Sequence, residues 1–417
     1  MPVPRPQQRQ PLGRRFLLLW SSVSVAGLGE GIGLTAVPLL AAQLTSDPRD
    51  ISIVFLSEQL PWLLVGLISG VLADRLDRRR VLWITDSLRA LVVCGLTAVV
   101  LTGHASIPIL GGVALLLGIG QVMYVGAWGG MVPALVEPSN RTRANAALQA
   151  TAQVTGNLLG SPLGALLFTA SLAAPFAVQA ACIAGAAALV ALLPGRYRAH
   201  KPVQASKISL LQEVAEGINW LWNHRFLRLL CVGSAASSLV VVGLTTVLVL
   251  YTKDVLRLSG VGYGLVMVAF AVGGLAGAAV VTRLSERIGT GKALTIAMTG
   301  QAAAVAAAGS VSSGIAFCCF ISFYGATTLA WNVVVVTVRQ SLVPNRLIGR
   351  VNMAYQMINA GASALGAMSS GLAAHLLGLR APFGVGAALL LAISIMGACR
   401  LRYRRSVVDR SPALMNR

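Results

Sequence analysis

Long apolar runs alternate with short polar connections along all 417 residues of the chain. A run of about 20 apolar residues is long enough to cross the hydrocarbon core of a bilayer as an α-helix. The pattern therefore predicts an all-α integral membrane protein with twelve transmembrane helices. The predicted spans lie near residues 15–42, 51–73, 80–102, 106–131, 144–170, 174–194, 226–251, 260–282, 292–310, 313–338, 353–378 and 381–400.

The second half of the chain repeats the first half at a constant offset of 207 residues. The repeat is clearest at the start of the fifth and eleventh spans, in the pairs Arg143 and Arg350, Asn145 and Asn352, Ala147 and Ala354, and Gln149 and Gln356. Two six-helix pseudo-repeats of the same orientation are the architecture of a two-halved secondary transporter. We therefore predict an N-terminal half at 1–194, a linker at 195–225 and a C-terminal half at 226–417.

Basic residues are distributed unevenly over the two sides of this topology. Counting the connections alternately from the N-terminus puts 28 of the 33 Lys and Arg residues on the side of both termini. Because cytoplasmic loops are enriched in Lys and Arg, both termini are predicted to lie in the cytoplasm, with the chain in the cytoplasmic (inner) cell membrane. The net charge of +20 lies in loops and tails, so it predicts no nucleic-acid partner.

The linker is basic at first and becomes amphipathic from Ser209. Leu210, Val214, Ile218 and Leu221 recur at helical spacing, which predicts a helix with one apolar face. Two interpretations remain open: the helix lies on the cytoplasmic leaflet of the bilayer, or it is a soluble linker helix that packs on the bundle.

Four charged residues fall inside the predicted spans, namely Glu30, Glu58, Asp86 and Arg89. A charge at the bilayer centre costs about 3 kcal/mol on insertion scales, so each is a candidate for proton or charge coupling. Glu30 is predicted to exchange protons or to pair with a cationic substrate, or else to be a hydrogen-bonded carboxyl between helices.

The other three charges have alternatives of their own. Glu58 either reaches external water or takes part in substrate or proton binding. Asp86 and Arg89 are three residues apart and so share one face of the third span, where they can pair. They form either a structural salt bridge to the loop before the span or part of a proton relay.

Other chemistry is not indicated by the sequence. The six cysteines fall inside apolar runs without metal-ligand or redox spacing. No phosphate-binding loop, nucleophile elbow or set of metal ligands occurs. We therefore predict no metal, no cofactor, no catalytic residue and no enzymatic activity.

A dense charge cluster lies between the second and third spans, in the segment from Gly70 to Leu82. This segment resembles the signature loop G-x-L-A-D-R-x-G-R-R-x-x-L of the major facilitator superfamily, with Asp77 in place of the usual glycine. The segment Ile348-Gly-Arg-Val-Asn352 and its repeat partner around Arg143 further resemble the enterobactin-exporter and macrolide-efflux branch of that superfamily.

The resemblance implies roles for individual residues. Gly70, Asp74, Arg75 and Arg78 would form a gating loop, with Asp74 at the start of the eleventh helix near Arg350. Arg79 and Arg80 either belong to this gate or only fix the topology. The first, fourth, seventh and tenth helices would line a central cavity. The cavity candidates, besides Glu30, are Gln121, Tyr124, Trp128, Ser238, Tyr324, Trp331 and Asn332.

The resemblance also implies a function. The expected protein is a monomeric secondary transporter that moves a small, partly apolar molecule by alternating access, with proton-coupled efflux of a drug-like or siderophore-like compound. Uptake or lysophospholipid flipping is the alternative within transport. A membrane receptor or scaffold that transports nothing is the alternative from another class.

Overall fold

The computed structural model describes residues 13–65, 76–128, 131–137, 140–195, 197, 210–344 and 347–410. Within these ranges the chain is helical and contains no strand. The first half contains α1 (Gly13–Leu44), α2 (Pro48–Leu64), α3 (Arg78–Leu101), α4 (Ile107–Trp128), α5 (Arg141–Gln153, Val154–Gly160 and Ser161–Ala170) and α6 (Ala174–Ala191). The second half contains α7 (Arg225–Leu250, with a final turn Tyr251–Val255), α8 (Gly260–Ile288), α9 (Thr290–Ser310), α10 (Gly314–Leu342), α11 (Ile348–Leu377) and α12 (Ala381–Arg410). A short helix, Met131–Leu135, follows α4, and a linker helix, Leu210–Asn223, joins the halves.

Nine of these helices are long and apolar enough to cross a membrane, among the residues that the structure describes. The three long helices outside this group are α2, α5 and α11. These three lie between the halves, because α2 packs on α11 and α5 packs on α8.

The 207-residue repeat is visible in the helix boundaries. α5 runs from Arg141 to Ala170 and α11 from Ile348 to Leu377, so both ends are displaced by the same 207 residues. The two helices nevertheless differ inside. Val154–Gly160 of α5 is a π-helical segment, whereas α11 is an uninterrupted α-helix.

Glycines allow α1 to approach its neighbours in the first half. A Cβ on Gly31 would overlap the backbone carbonyl of Gly156 in the π segment, and one on Gly33 would overlap the side chain of Gln179 in α6. Close helix–helix approach through small residues is typical of membrane bundles, where burial in lipid supplies no hydrophobic driving force between helices. The glycines around Glu30 therefore fix the position of α1 at the centre of the half.

Among the residues that the structure describes, several close contacts between the two halves lie near one face of the bundle. We call this the distal face; it carries the connections 45–47, 102–106, 171–173, 256–259, 311–313 and 378–380. The opposite, terminal face carries both ends of the described chain. At the distal face the ammonium of Lys253 in α7 donates to the carbonyl of Ala42 in α1, at 2.9 Å. A Cβ on Gly371 of α11 would overlap the side chain of Ser52 in α2.

A second polar contact links the halves at the distal face. Nδ1 of His375 in α11 lies 3.3 Å from Oδ1 of Asp47, the N-cap residue of α2. Asp47 also receives a side-chain hydrogen bond of 2.7 Å from Arg49. The bonds from Arg49 lower the pKa of the Asp47 carboxyl to about 2, below its ordinary value of 3.8, so this group is ionised at neutral pH.

The linker helix packs on the start of α11. A Cβ on its Gly217 would lie 2.5 Å from the carbonyl oxygen of Arg350. Its Leu221 is buried, whereas Trp222 is 46% exposed. The predicted helix is thus confirmed. Its contacts with the bundle fit the packed interpretation, and the exposed indole also leaves an apolar surface for the bilayer.

The glycine contact predicts a stability difference between two alanine variants. Gly31→Ala should lower the melting temperature in detergent, because the new methyl group forces α1 away from Gly156, and overpacking costs about 1–3 kcal/mol. Gly112→Ala in α4 is the matched control, since a Cβ there meets nothing within 4 Å. Its melting temperature should equal or slightly exceed that of the wild type. Equal losses in both variants would contradict the packing role of Gly31.

Candidate functional site

The candidate site is a cavity with three compartments, one within the N-terminal half, one within the C-terminal half and one between the two. The N-half compartment has a volume of about 320 Å³ and is bordered by α1, α2, α3, α4, α5 and α6. The C-half compartment has a volume of about 370 Å³ and is bordered by α7, α10 and α11. A third compartment of about 140 Å³ shares Asn157 with the first and Thr328 with the second, so the three are adjacent.

The N-half compartment is built around the guanidinium of Arg89. Its Nη2 donates to Oε1 of Glu30 on α1 at 3.1 Å, and its Nη1 donates to Oδ1 of Asp86, one turn earlier on α3, at 3.3 Å. The Arg89 side chain is 8% exposed and that of Asp86 is fully buried, whereas the Glu30 side chain is 37% exposed. Glu30 is therefore the member of the cluster that the cavity reaches most easily.

Glu58 faces the same compartment from α2. Its exposed surface borders the cavity. The geometry therefore favours a role in substrate or proton binding over contact with external water. Glu30, Glu58 and Asp86 together set three carboxyl groups against the single guanidinium of Arg89. One oxygen of Asp86 is buried without a hydrogen-bond partner among the described residues. The cluster therefore has more acidic groups than the Arg89 side chain alone can neutralise.

Two glycines of α4 make room for this cluster. A Cβ on Gly120 would lie 2.6 Å from Cγ of Arg89, and one on Gly118 would lie 2.7 Å from the carbonyl oxygen of Glu58. Larger residues would push α4 away from α2 and α3. The glycines thus fix the positions of the helices that bring Glu58 and Arg89 to the same compartment.

The π segment of α5 forms another part of the wall. Gly156 and Asn157 of this segment border the N-half compartment, and the Asn157 amide donates to the side chain of Gln153. A π segment adds a residue to one helical turn and is frequent at functional sites. Here the segment coincides with the place where α5 meets both α1 and the cavity.

The C-half compartment is polar but contains no carboxyl group within the described residues. Ser234 of α7 accepts a hydrogen bond of 2.9 Å from Nε1 of Trp331 and another from the hydroxyl of Tyr355. The guanidinium of Arg339 lies over the Tyr355 ring, 4.2 Å from its centroid. This compartment therefore presents hydroxyls, amides and one cation.

The cavity candidates from the sequence fall into two groups. Gln121 borders the N-half compartment, and Ser238, Trp331 and Asn332 border the C-half compartment. Tyr124, Trp128 and Tyr324 pack inside the bundle instead. The first two rest against a buried cluster that includes Phe16 and Met131. The ring of Tyr324 makes a tilted contact with that of Phe270, with 5.7 Å between the centroids.

Most of the predicted gating loop lies outside the described residues, namely Gly70, Asp74 and Arg75. Arg78 begins α3, and its backbone N–H donates to the carbonyl of Tyr197 at 3.2 Å. Asp77, which departs from the superfamily pattern, is the N-cap of α3 and accepts from the backbone N–H of Arg79 at 3.1 Å. A capping carboxylate satisfies an otherwise unpaired helix N-terminus, which gives this departure a structural reason.

Two other basic residues near the terminal face contact nearby helices. Arg79 donates to the carbonyls of Ala191 and Gly195, and so caps the end of α6. This contact ties α3 to α6 within one half. Arg350 forms an ion pair with Glu216 of the linker helix. The position expected for Asp74 near Arg350 stays a prediction.

Several residues that border the cavity were not among the sequence candidates. Counting basic residues places Arg339 in the connection after the tenth span, which is wrong, because α10 continues to Leu342 and carries Arg339 along the cavity wall. Asn157, Gln179 and Asn359 are amide side chains inside apolar spans. A search for amides in the spans, in addition to charges, would have found these three.

Within the described part of the chain, no group of three or more His, Cys, Asp or Glu side chains is arranged so that it could hold a metal ion.

The chain is similar to proteins of known family along most of its length. The family model described as Major Facilitator Superfamily matches residues 19–367. The multidrug efflux pump Tap of Mycolicibacterium fortuitum is 28% identical over 383 residues, which cover 89% of this chain and 91% of that protein. YfiS of Bacillus subtilis, an uncharacterised transporter of this type, is 38% identical over 79 residues, or 19% of each chain.

The fold is also that of solved transporters. A variant of the nucleoside transporter NupG superimposes with a TM-score of 0.77 at 12% identity, covering 93% of this chain and 99% of that one. A bacterial homologue of the iron transporter ferroportin, in its inward-facing state, gives a TM-score of 0.73 at 18% identity with the same coverage. The multi-pass helical fold, its two halves and the match over residues 19–367 lead to one conclusion. The chain belongs to the major facilitator superfamily and is a membrane transporter rather than an enzyme.

Proposed function

We propose that this transporter exports a bulky, partly apolar cation from the cytoplasm in exchange for protons. The observation that carries the proposal is the excess of carboxyl groups at the N-half compartment. Glu30 and Glu58 border it together with Arg89, whose guanidinium already pairs with Glu30 and with the buried Asp86. A second cation, either a proton or the charged group of a substrate, would relieve this excess.

The orientation follows from the distribution of basic residues. The sequence count assigns 28 of the 33 Lys and Arg residues to the side of the terminal face, or 27 without Arg339, so this side is the cytoplasmic face of the cell membrane under the positive-inside rule. The tight contacts between the halves at the distal face then close the cavity toward the outside. Export then requires that the substrate enters the cavity from the opposite, cytoplasmic side.

Exchange follows from competition for one set of carboxylates. An uncompensated negative charge inside the bundle is unfavourable, because burial removes the water that solvates it. Binding a proton or a cationic substrate restores neutrality, and binding either one weakens the binding of the other by the same factor. Glu30 is the carboxylate for which the two compete, because it contacts Arg89 and also borders the cavity.

The apolar part of the substrate would contact the rest of the wall. Large apolar and aromatic side chains surround the acidic groups on α1, α2 and α4: Leu34, Val37, Phe55, Trp62 and Leu117. A cavity of this composition suits a hydrophobic molecule with a charged group better than a sugar phosphate or an inorganic ion. The likeness to the multidrug efflux pump Tap supports the same class of substrate.

The direct test is transport by the purified protein in liposomes. Rhodamine 123, a lipophilic cationic dye, would be loaded on the side that corresponds to the cytoplasm. A pH gradient would be imposed, with the lower pH on the other side of the membrane. We expect dye movement that depends on the gradient and stops when an ionophore collapses it. Movement that ignores the gradient would overturn proton exchange, and movement toward the cytoplasmic side would overturn export.

Glu30 is predicted to be essential for coupling. Glu30→Gln should reduce gradient-driven transport at least about tenfold, because the loss of a charged hydrogen bond costs about 1.5–3 kcal/mol and the amide cannot exchange a proton. The measurement is the initial rate of dye transport in the liposomes at equal protein content.

Glu286→Gln is the matched control for this substitution, since it removes a carboxylate from an exposed position of α8. Its rate should equal that of the wild type. An undiminished rate in Glu30→Gln would exclude Glu30 from the coupling site.

The contacts at the distal face are predicted to set the equilibrium between the conformation in which this face is closed and the one in which it is open. Lys253→Met and Asp47→Asn each remove a bond between the halves, and each should shift the balance toward opening by up to about fivefold, as expected for an exposed pair worth about 0–1 kcal/mol. Bonds from Arg49 of its own helix depress the pKa of Asp47 to about 2, so the carboxylate that faces His375 across the halves is ionised at neutral pH.

Pulsed electron paramagnetic resonance can measure this opening as the distance between spin labels at positions 104 and 313, which lie on different halves at the distal face. The six native cysteines would first be replaced. Arg380→Met is the control, because Arg380 bonds to Ser312 of its own half. Unchanged distances in both variants, or an equal change in the control, would contradict the role of these contacts.

A further inference from the structure

Arg339 is the only charged side chain that borders the C-half compartment, among the residues that the structure describes. It lies one turn before the end of α10, so it is near the terminal face, where the cavity receives its substrate. The N-half compartment holds the excess of carboxyl groups described above. The described wall of the cavity is therefore acidic on one half and basic on the other.

The position of Arg339 is fixed by neighbours that are themselves held in place. Its guanidinium stacks on the Tyr355 ring at 4.2 Å, a cation–π contact. The Tyr355 hydroxyl donates to Ser234, which also accepts from Nε1 of Trp331 at 2.9 Å. Three helices, α7, α10 and α11, thus hold the ring on which the guanidinium rests.

The hydrogen-bonding capacity of Arg339 is not used by the described protein. No carboxylate forms an ion pair with it within the ranges that the structure describes, and its buried Nε has no hydrogen-bond partner there. A guanidinium has five N–H donors in a planar fork that matches a carboxylate. Arg339 is half-buried, and partial burial of a cation without an anion is unfavourable, so an anion that enters the compartment would be bound favourably.

We propose that Arg339 is the binding site for a carboxylate of the transported molecule, so that the preferred substrates are zwitterions rather than simple cations. The cationic group would lie against Glu30 and Glu58 in the N-half compartment, and the carboxylate would lie against Arg339. Asn332 and Asn359, which border the C-half compartment, add amide donors beside the guanidinium. This inference rests on the proposed function, since it names the second group that the same cavity recognises.

The test uses two dyes that differ by one carboxylate. Tetramethylrhodamine has a free carboxylate and is a zwitterion, whereas its methyl ester is a cation with almost the same rings. Binding of each dye to the full-length protein in phosphatidylcholine nanodiscs would be measured by fluorescence polarisation. We expect wild type to bind the zwitterion at least about tenfold more tightly than the ester, the effect of one charge-assisted bond of about 1.5–3 kcal/mol.

The Arg339 variants make the result specific. Arg339→Gln should abolish the preference for the zwitterion while leaving ester binding within about twofold, because the ester makes no ion pair with Arg339. Arg339→Glu should reverse the preference, and Arg339→Lys should keep part of it. Arg287→Gln is the control, since it removes the same charge from an exposed position of α8. A preference that survives Arg339→Gln, or equal binding of both dyes by wild type, would overturn the inference.

A lipid phosphate is the other anion that could occupy this site, and the lipid composition distinguishes it. Adding phosphatidylglycerol to the nanodiscs should leave the preference of the wild type unchanged. Loss of the preference on this addition would assign the site to a lipid headgroup and overturn a substrate carboxylate. Failure of the proposed function would give a different result. Dye binding would still depend on Arg339, but the protein in liposomes would show no gradient-driven transport.

Discussion

The pairing of one buried guanidinium with carboxylates from two helices is the interaction on which the N-terminal half depends. Arg89 of α3 contacts Asp86 on its own helix and Glu30 on α1, 59 positions earlier. Removing the guanidinium would leave carboxyl groups without a counter-charge inside the bundle, where an unpaired charge costs several kcal/mol. The close helix contacts at Gly31 and Gly120 bring α1 and α4 to the cluster, so the packing of the half and its charge arrangement are determined together.

The two halves share their ancestry in sequence but differ in what they offer to a ligand. Their fifth and eleventh helices begin and end at equivalent positions, 207 residues apart. Only the first of these helices contains a π segment, and it borders the acidic compartment. The C-terminal half places hydroxyls, amides and Arg339 around its compartment instead. A cavity between unlike walls can bind a molecule in one orientation, because the two ends of the ligand meet opposite charges.

The contacts between the halves are of the kind that a moving transporter needs. Those at the distal face include a hydrogen bond from Lys253 to a carbonyl and a partly exposed polar contact between Asp47 and His375. Each is weak in water, about 0–1 kcal/mol for an exposed pair, so the closed face can open at a modest cost. The strong charge pairing around Arg89 lies inside one half and need not break when the halves rock against each other.

The sequence by itself determined the number of long helices, the repeat and the identity of the four charges inside the spans, because hydropathy and periodicity are local properties of a chain. The resemblance to the major facilitator superfamily added the helices that line the cavity, and with them Gln121, Ser238, Trp331 and Asn332. Only the tertiary structure decided that Arg89 reaches Glu30, that Tyr124 and Tyr324 pack within the bundle and that Arg339 belongs to the cavity wall. The physical reason is that a partner depends on the rotation and depth of each helix relative to its neighbours. These are set by close contacts such as that of Gly31 with Gly156, which no single stretch of sequence contains.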